Sequence, residues 1–396
     1  MCEKVFGVYL AKEDPESDAC AKLDLPAQPW ELLDALDKLH LQRDDRQYME
    51  IDHYYDFEEL AAVLRDQEVS LTELNDLAER LTRLNAVQCT ALQGLIQMEK
   101  AKEESGISVS RLRDLTESVN GCHVVQEASN DRQLGRFYAE NGFVPEVEGL
   151  PDEVFELLDF EAIGHRAREE EGGVFTTGGY VLQNSDLKQA PSVAGEIEEP
   201  DYMVLLEVTN GKSNGPAYNG AEPVLVKLPA AQEELEAVAQ RLKASSTWEL
   251  WWRCIDCVIP EMRDAVTFAG GINDANRFAQ ALEAMTQEQR KVYKAVLEGL
   301  RCRDLCAALH QADTLDEYIL KERINSPAEF AREKIRTIMG EPMADKVLVN
   351  LNLHRCGEAL MEEEHCIQTG YGLLQRRDGQ ELRIQNKKMG MTEMRR

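Results

Sequence analysis

The sequence predicts an α+β fold in which one plan of strands and helices occurs twice along the chain. Short segments rich in aromatic and β-branched residues predict strands, and longer segments with leucine at helical spacing predict helices. Both kinds of segment recur in the same order, and 396 residues are enough for two or three domains. We expect an elongated molecule of two tandem copies. Each copy has an N-terminal strand/helix subdomain, a helical middle and a C-terminal helix/strand subdomain.

The repeat is visible as matching pairs of segments. Leu-Pro-Ala at 25–27 recurs at 228–230, and a helical pattern of apolar residues follows each. Predicted strands precede these segments, at 5–10 and 202–208, and follow them, at 48–55 and 252–259. Helix pairs come next, at 74–96 and 275–300. Segment 159–171 then matches 352–364, with Gly164 opposite Gly357 and a triple glutamate at the same offset, and we match Gly179-Tyr180 with Gly370-Tyr371.

These matches predict the domain boundaries. We expect a first copy at 1–185, with subdomains at about 1–60, 61–110 and 111–185, and a second copy at 201–376. The linker at 186–200 contains Pro191, Gly195 and Pro200 and has little hydrophobic content. Residues 377–396 are basic and are predicted to form a frayed tail.

Acidic residues are concentrated in one half of the chain. Residues 1–200 contain 43 Asp and Glu against 18 Lys and Arg, whereas residues 201–396 contain 30 against 26. Nearly all of the formal charge of −29 therefore belongs to the first half. Because self-repulsion of this size costs folding stability, we interpret the excess as functional. It opposes direct binding of nucleic acid or anionic lipid, and it favours a protein partner with a basic, nucleic-acid-binding cleft.

The carboxylates are densest at 140–171. On a helix, side chains three or four residues apart share a face at a separation of about 5–6 Å, so a helical surface can resemble a row of phosphates. A solvated acidic face is the simpler interpretation of one glutamate run, but this excess extends over 200 residues and is absent from the second copy. The candidate partner-binding residues are Glu140, Glu146, Glu148, Asp152, Glu153, Glu156, Asp159, Glu161, Glu169, Glu170 and Glu171.

Motifs for catalysis and for cofactors are mostly absent. The sequence contains no GxGxxG or HExxH, and Gly-Lys-Ser at 211–213 lacks the upstream glycine of a phosphate-binding loop. Residues 136–143 are similar to one segment of a family of acetyltransferases, but the backbone-amide loop for the coenzyme pyrophosphate is missing. An acetyltransferase is therefore the least favoured alternative. We predict a protein that is not an enzyme and that has no cofactor.

The ten cysteines have no disulfide-framework spacing, which favours a reducing compartment. Cys254 and Cys257 form a CxxC motif, and Cys302 and Cys306 lie within one helical turn. The gap between the two pairs exceeds that of common zinc modules, so we favour buried thiols and predict no metal. The N-terminus lacks an apolar signal core, and no apolar run approaches the ~20 residues of a membrane span. We expect a cytoplasmic protein with no membrane partner.

Residues 150–182, LPDEVFELLDFEAIGHRAREEEGGVFTTGGYVL, resemble the C-terminal part of ArdA-type antirestriction proteins. The shared features are an aromatic-acidic turn before a helix, a glycine-rich turn and a terminal Gly-Tyr strand. A weaker resemblance extends over most of residues 1–185, through LNDLAERL at 74–81 and LGRFY at 134–138. The second copy resembles the first copy more than it resembles the family.

The resemblance implies a non-catalytic mimic of bent B-form DNA. Such proteins are carried by mobile genetic elements and occupy the DNA-binding groove of type I restriction-modification enzymes, chiefly the methyltransferase core. The resemblance assigns this role to the acids inside the matched segment, which are Asp152, Glu153, Glu156, Asp159, Glu161, Glu169, Glu170 and Glu171. Family members are shorter, single-copy and dimeric, whereas this chain adds a helical stretch near 98–115 and a whole second copy.

Two questions stay open at this level. The partner could be another DNA-binding defence enzyme, such as a CRISPR nuclease, for which the protein would be an acidic inhibitor or scaffold. In the second copy Asp159, Glu161 and Arg166 are replaced by Asn352, His354 and Ala359, whereas apolar positions are retained. We therefore predict that the second copy packs on the first as a pseudo-dimer in one chain or docks a further protein; a homodimer is the alternative.

Overall fold

A computed structural model describes residues 3–14, 17–41, 46–64, 69–102, 106–211 and 222–382. The fold is α+β, as predicted, with helices interleaved among small three-stranded sheets. None of the helices in these ranges has the length and hydropathy needed to cross a membrane. Most of the predicted basic tail lies outside the described residues, which end at 382.

The first half of the chain contains six strands and eight α-helices among the described residues. In chain order they are β1 (Phe6–Lys12), β2 (Cys20–Leu25), α1 (Pro29–Leu39), β3 (Gln47–Tyr54), α2 (Ala61–Leu64), α3 (Leu71–Thr82), α4 (Ala86–Lys102), α5 (Val109–Ser118), β4 (Cys122–Val125), α6 (Asp131–Glu140), α7 (Asp152–Phe155), α8 (Phe160–Glu171), β5 (Val174–Thr176) and β6 (Gly179–Gln183). The strand orders are β2-β1-β3 and β4-β6-β5.

The described part of the second half repeats this series element by element. It contains β7 (Val204–Asn210), β8 (Val224–Leu228), α9 (Gln232–Arg241), β9 (Leu250–Cys257), α10 (Arg263–Thr267), α11 (Ile272–Ala284), α12 (Gln287–Gly299), α13 (Leu305–Ala312), β10 (Tyr318–Lys321), α14 (Pro327–Met339), α15 (Glu341–Leu348), α16 (Leu353–Glu363), β11 (Ile367–Thr369) and β12 (Gly372–Arg376). Its strand orders, β8-β7-β9 and β10-β12-β11, match those of the first half. The elongated arrangement of the copies stays a prediction.

The C-terminal subdomains share a close crossing of two helices. A Cβ atom added at Gly164 on α8 would lie 1.8 Å from the carbonyl oxygen of Asp131 on α6. One added at Gly357 on α16 would lie 1.7 Å from the carbonyl oxygen of Pro327 on α14. Each helix pair therefore packs backbone against backbone at a glycine, which is the physical reason for the predicted match of Gly164 with Gly357.

The last hairpin corrects one detail of the predicted repeat. Thr176 pairs with Gly179 in the first copy, and Thr369 pairs with Gly372 in the second. Gly179 therefore corresponds to Gly372, and both have a positive φ, of 135° and 118°. The match of Gly179-Tyr180 with Gly370-Tyr371 is wrong by two residues, because the turn, which needs glycine at this φ, sets the register.

The described residues form two compact units. Unit 1 comprises residues 1–8, 24–26 and 51–196, and unit 2 comprises 9–23, 27–50 and 197–396, apart from the residues that the structure does not describe. Helix α1 thus belongs to unit 2. Its Trp30 is buried with Val204 and Leu206, and the indole Nε1 donates a hydrogen bond to the carbonyl oxygen of Tyr202 at 2.8 Å. The predicted boundaries at 185 and 201 stay predictions, and the compact units divide the chain differently.

Candidate partner-binding surface

The eleven predicted carboxylates lie in one subdomain of unit 1, residues 122–183, and all eleven residues are exposed. The elements that carry them are the end of α6, the turns between α6 and α8, the single-turn helix α7 and the helix α8. Residues Phe160 and Ile163 face the small core beneath α8, so the acidic positions between and after them face outward. This arrangement follows from the helical spacing in the sequence.

The acidity of this subdomain is not required by its fold. Residues 122–183 contain 13 Asp and Glu against 4 Arg, an excess of nine negative charges. The equivalent residues 318–376 contain 9 acidic residues against 8 Lys and Arg, an excess of one. Because both subdomains have the same strand order and the same close helix crossing, the difference in charge is a property of the surface.

Two of the eleven carboxylates are partly neutralised by a shared arginine. The guanidinium group of Arg136 donates hydrogen bonds to Glu140 and to Glu156, each at 2.7 Å. All three side chains are about half exposed, and exposed ion pairs of this kind contribute roughly 0–1 kcal/mol. Arg136 therefore reduces the negative field locally and adds little to stability.

Asp159 has a structural role that the sequence analysis did not separate from its charge. Its carboxylate accepts a hydrogen bond from the backbone N–H of Ala162 at 3.1 Å and so caps α8. In the second copy Asn352 accepts the same bond from Arg355 N at 3.1 Å. The cap is retained although the charge is lost, so an asparagine at 159 would remove charge without removing the cap.

Glu171 is exposed, but its carboxylate is hydrogen-bonded to side chains of the core. Its Oε2 accepts hydrogen bonds from the hydroxyl groups of Tyr138 at 2.7 Å and Tyr180 at 3.2 Å. Both tyrosine residues are buried, and burial, together with the neighbouring Glu171 carboxylate, raises the pKa of each phenol. The two hydroxyl groups therefore stay protonated and donate to Glu171.

Replacing Glu171 by alanine is expected to lower the free energy of unfolding by about 1–3 kcal/mol, because it leaves two tyrosine hydroxyl groups without their acceptor. The matched control is Glu170→Ala, which removes the same charge from the neighbouring position and is expected to change stability by less than about 0.5 kcal/mol. Urea unfolding followed by circular dichroism measures both. Equal effects of the two variants would contradict the structural role of Glu171.

Six candidate carboxylates are free. Within the described part of the chain, no hydrogen bond or ion pair engages the side chains of Glu146, Glu148, Asp152, Glu153, Glu161 and Glu170. The remaining candidate, Glu169, lies 3.4 Å from Nε2 of the half-exposed His165. The free carboxylates carry full charges into solvent, which is the property that a surface needs in order to bind a cationic partner.

Two further acidic residues of this subdomain, Glu127 and Asp131, precede the dense run at 140–171. Glu127 is exposed beside the same sheet, but it is separated from the next candidate by a stretch of mixed composition. Asp131 lies between them and is bound by the Arg168 guanidinium at 2.7 Å, which holds the pKa of its carboxyl group below its usual range.

The cysteine pairs form no metal centre in the described residues, where no cluster of three or more His, Cys, Asp or Glu could hold an ion. Cys254 and Cys257 are buried on β9, and burial raises the pKa of the Cys254 thiol to about 12. A protonated thiol is a poor metal ligand. These side chains pack as small apolar groups in the core of unit 2.

A scan of the chain against models of protein families found no match, and a search of curated proteins found no relative.

Proposed function

We propose that this protein is an antirestriction protein that mimics B-form DNA and occupies the basic DNA-binding groove of a type I restriction-modification enzyme, chiefly its methyltransferase core. The observation that carries the proposal is the group of exposed carboxylates at 140–171. The equivalent subdomain of the second copy, residues 318–376, is the sister subdomain and has an excess of only one negative charge. A charge that the fold does not need, and that costs stability through self-repulsion, has a use in binding.

The proposed mechanism is competition without catalysis. Lysine and arginine side chains that line a DNA groove would contact the carboxylates in place of phosphates, and DNA could not enter while the complex persists. Because many ion pairs form at once, the affinity falls steeply as the salt concentration rises. The six free carboxylates contribute most, since no cation among the described residues pairs with them.

The experiment uses a variant of the full chain in which four free carboxylates are neutralised, E146Q/E148Q/D152N/E153Q. Binding to a type I methyltransferase, in competition with its DNA, is measured over a series of salt concentrations. We expect the variant to bind about fourfold to several hundredfold more weakly at low salt, at roughly 0.2–1 kcal/mol for each of the four charges removed, and to lose part of its salt dependence. Relief of restriction in cells is expected to fall in parallel.

The control neutralises four exposed carboxylates of the sister subdomain, E341Q/E358Q/E362Q/E363Q. It changes the net charge by the same amount and is expected to keep the affinity within about twofold. Equal losses in both variants would show a non-specific effect of net charge, and no binding by the parent chain would refute the proposal. Variants of the whole chain are used because helix α1 belongs to the core of unit 2, so a cut at the linker would separate it from that core.

A further inference from the structure

Apolar side chains are exposed among the candidate carboxylates. Leu157 is 84% exposed, Phe143 59% and Val154 44%. Single exposed apolar residues are common on protein surfaces, but an apolar group with a polar rim often marks a place where a partner binds. Residues 143–157 combine these three side chains with five acidic residues and contain no lysine or arginine.

The local structure separates the apolar residues of this segment into two groups. Phe155 and Leu158 turn inward and pack near Phe160, with the rings of Phe155 and Phe160 at a centroid distance of 5.4 Å. Leu157 and Val154 remain outside. The backbone N–H of Leu157 donates a hydrogen bond to the carbonyl oxygen of Val154 at 3.1 Å, so the two side chains are three residues apart in one turn.

Phe143 differs from these two side chains because it is held from below. Its ring lies 5.2 Å from that of Tyr138 and 6.2 Å from that of Phe137. Part of its surface therefore belongs to the subdomain's own aromatic cluster. Among the described residues, Val154 and Leu157 belong to neither of the hydrophobic clusters of this subdomain, and Leu157 is the most exposed apolar side chain of the segment.

The charge around this turn indicates which kind of partner the apolar side chains fit. Glu146, Glu148, Asp152 and Glu153 have no partner among the described residues, so a purely apolar ligand would have to desolvate several full charges in order to reach Leu157. An anionic lipid surface would be repelled. A protein groove that is basic at its rim and apolar in one recess satisfies both the carboxylates and the leucine.

We propose that Leu157, with Val154 beside it, is an apolar anchor that inserts into an apolar recess of the partner's basic groove. This inference rests on the proposed function and deepens it. The carboxylates supply the part of the affinity that salt screens, and the anchor supplies a part that salt does not screen. The anchor also discriminates among basic partners, because a groove without the recess would leave Leu157 in water.

The sister subdomain offers a matched control. Val349, in the turn that follows α15, is 82% exposed and occupies a similar place in the second copy. Its surroundings at 341–351 contain two acids and one lysine, so the turn lacks the charge that would attract a basic groove. Serine at 349 removes about as much exposed apolar surface as serine at 157.

The test compares the full-length parent, Leu157→Ser, Val349→Ser and the quadruple charge variant for binding to a type I methyltransferase at several salt concentrations. We expect Leu157→Ser to weaken binding by about tenfold to a hundredfold and by the same factor at every salt concentration, since burial of a leucine side chain is insensitive to salt. Val349→Ser is expected to bind like the parent. Because Leu157 and Val349 are both exposed, we expect the parent, Leu157→Ser and Val349→Ser to have the same thermal unfolding temperature.

Each result bears on the inference. An unchanged affinity of Leu157→Ser, with salt-dependent binding by the parent, would overturn the anchor and leave the proposed function intact. An equal loss in Val349→Ser would also overturn it. If light scattering showed that Leu157→Ser dissociates a dimer of the parent, the turn would be a contact between copies and the inference would fail. Absence of binding by the parent would remove the proposed function and the anchor together.

Discussion

Replacing Asp34 by alanine is expected to lower the free energy of unfolding by about 3–5 kcal/mol, because it leaves a buried ammonium group poorly paired. Asp34 lies on α1, and its Oδ1 is 2.7 Å from Nζ of Lys294, which is only 3% exposed. The same carboxylate accepts a hydrogen bond from the hydroxyl group of the buried Tyr371 at 2.6 Å and pairs with Lys38 at 2.9 Å. After the substitution, Asp37, at 2.9 Å, would be the one carboxylate among the described residues that still pairs with Lys294.

Chemical unfolding of the full chain measures this effect, and Asp201→Ala is its control. Asp201 pairs with Lys227 at 2.6 Å, but both side chains are more than half exposed. We expect the control to lose less than about 1 kcal/mol, since solvent screens exposed pairs and replaces their hydrogen bonds. A loss below about 1 kcal/mol in Asp34→Ala would mean that Lys294 is neutral or hydrated in the folded protein.

The same cluster predicts how stability depends on pH. Burial favours the neutral Asp34, but Lys294 and then Lys38 outweigh it, so the pKa of Asp34 is lowered. Burial likewise favours neutral Lys294, but Asp34 and Asp37 outweigh it and its pKa is raised. The stabilisation from Asp34 is therefore complete above about pH 3.9 and is lost as the pH falls through the folded pKa of Asp34. The stabilisation from Lys294 is complete below about pH 10.4 and is lost as the pH rises through the folded pKa of Lys294. Asp34→Ala should remove the first contribution and weaken the second, because Lys294 keeps Asp37.

Alanine at Gly164 or at Gly357 is expected to destabilise its subdomain by about 3 kcal/mol, with backbone shifts at the helix crossing. The added methyl group would lie within 2 Å of a carbonyl oxygen at both positions, and backbone cannot move aside as a flexible side chain can. In an unpacked helix the same substitution would stabilise by up to about 1 kcal/mol, so the sign of the effect reports the close approach. On the proposed function, Gly164→Ala is also expected to reduce restriction relief, because α8 and the segment between α6 and α8 carry the candidate carboxylates.

Gly195→Ala is the control for this pair. Among the described residues, no atom lies within 4 Å of the Cβ position that the substitution adds at Gly195, so a change of less than about 0.5 kcal/mol is expected. Thermal unfolding by calorimetry on the three variants provides the comparison. A stabilised Gly164→Ala would show that α6 and α8 are further apart than their backbone contact indicates.

The candidate surface was predictable in part. Outward orientation of Glu161 and Glu170 follows from the period of α8. The cap by Asp159 was not predicted, although an acidic residue directly before a helix is a typical N-cap. The hydrogen bonds of Glu171 with Tyr138 and of Glu156 with Arg136 did not follow. They join residues 33 and 20 positions apart, and no local pattern specifies such pairs.

By itself the sequence determined the charge of each half, the types of the main elements and the repeated order in which they occur, because these depend on composition and on periodicities of two and 3.6 residues. Tertiary structure decided which carboxylates remain free, which glycine sets the last hairpin and which unit contains α1. The assignment of α1 to unit 2 depends on Trp30 and Asp34 meeting Val204 and Lys294, about 170 to 260 residues away along the chain. Such contacts are selected by the shape and pairing of a complete core, which no segment carries alone.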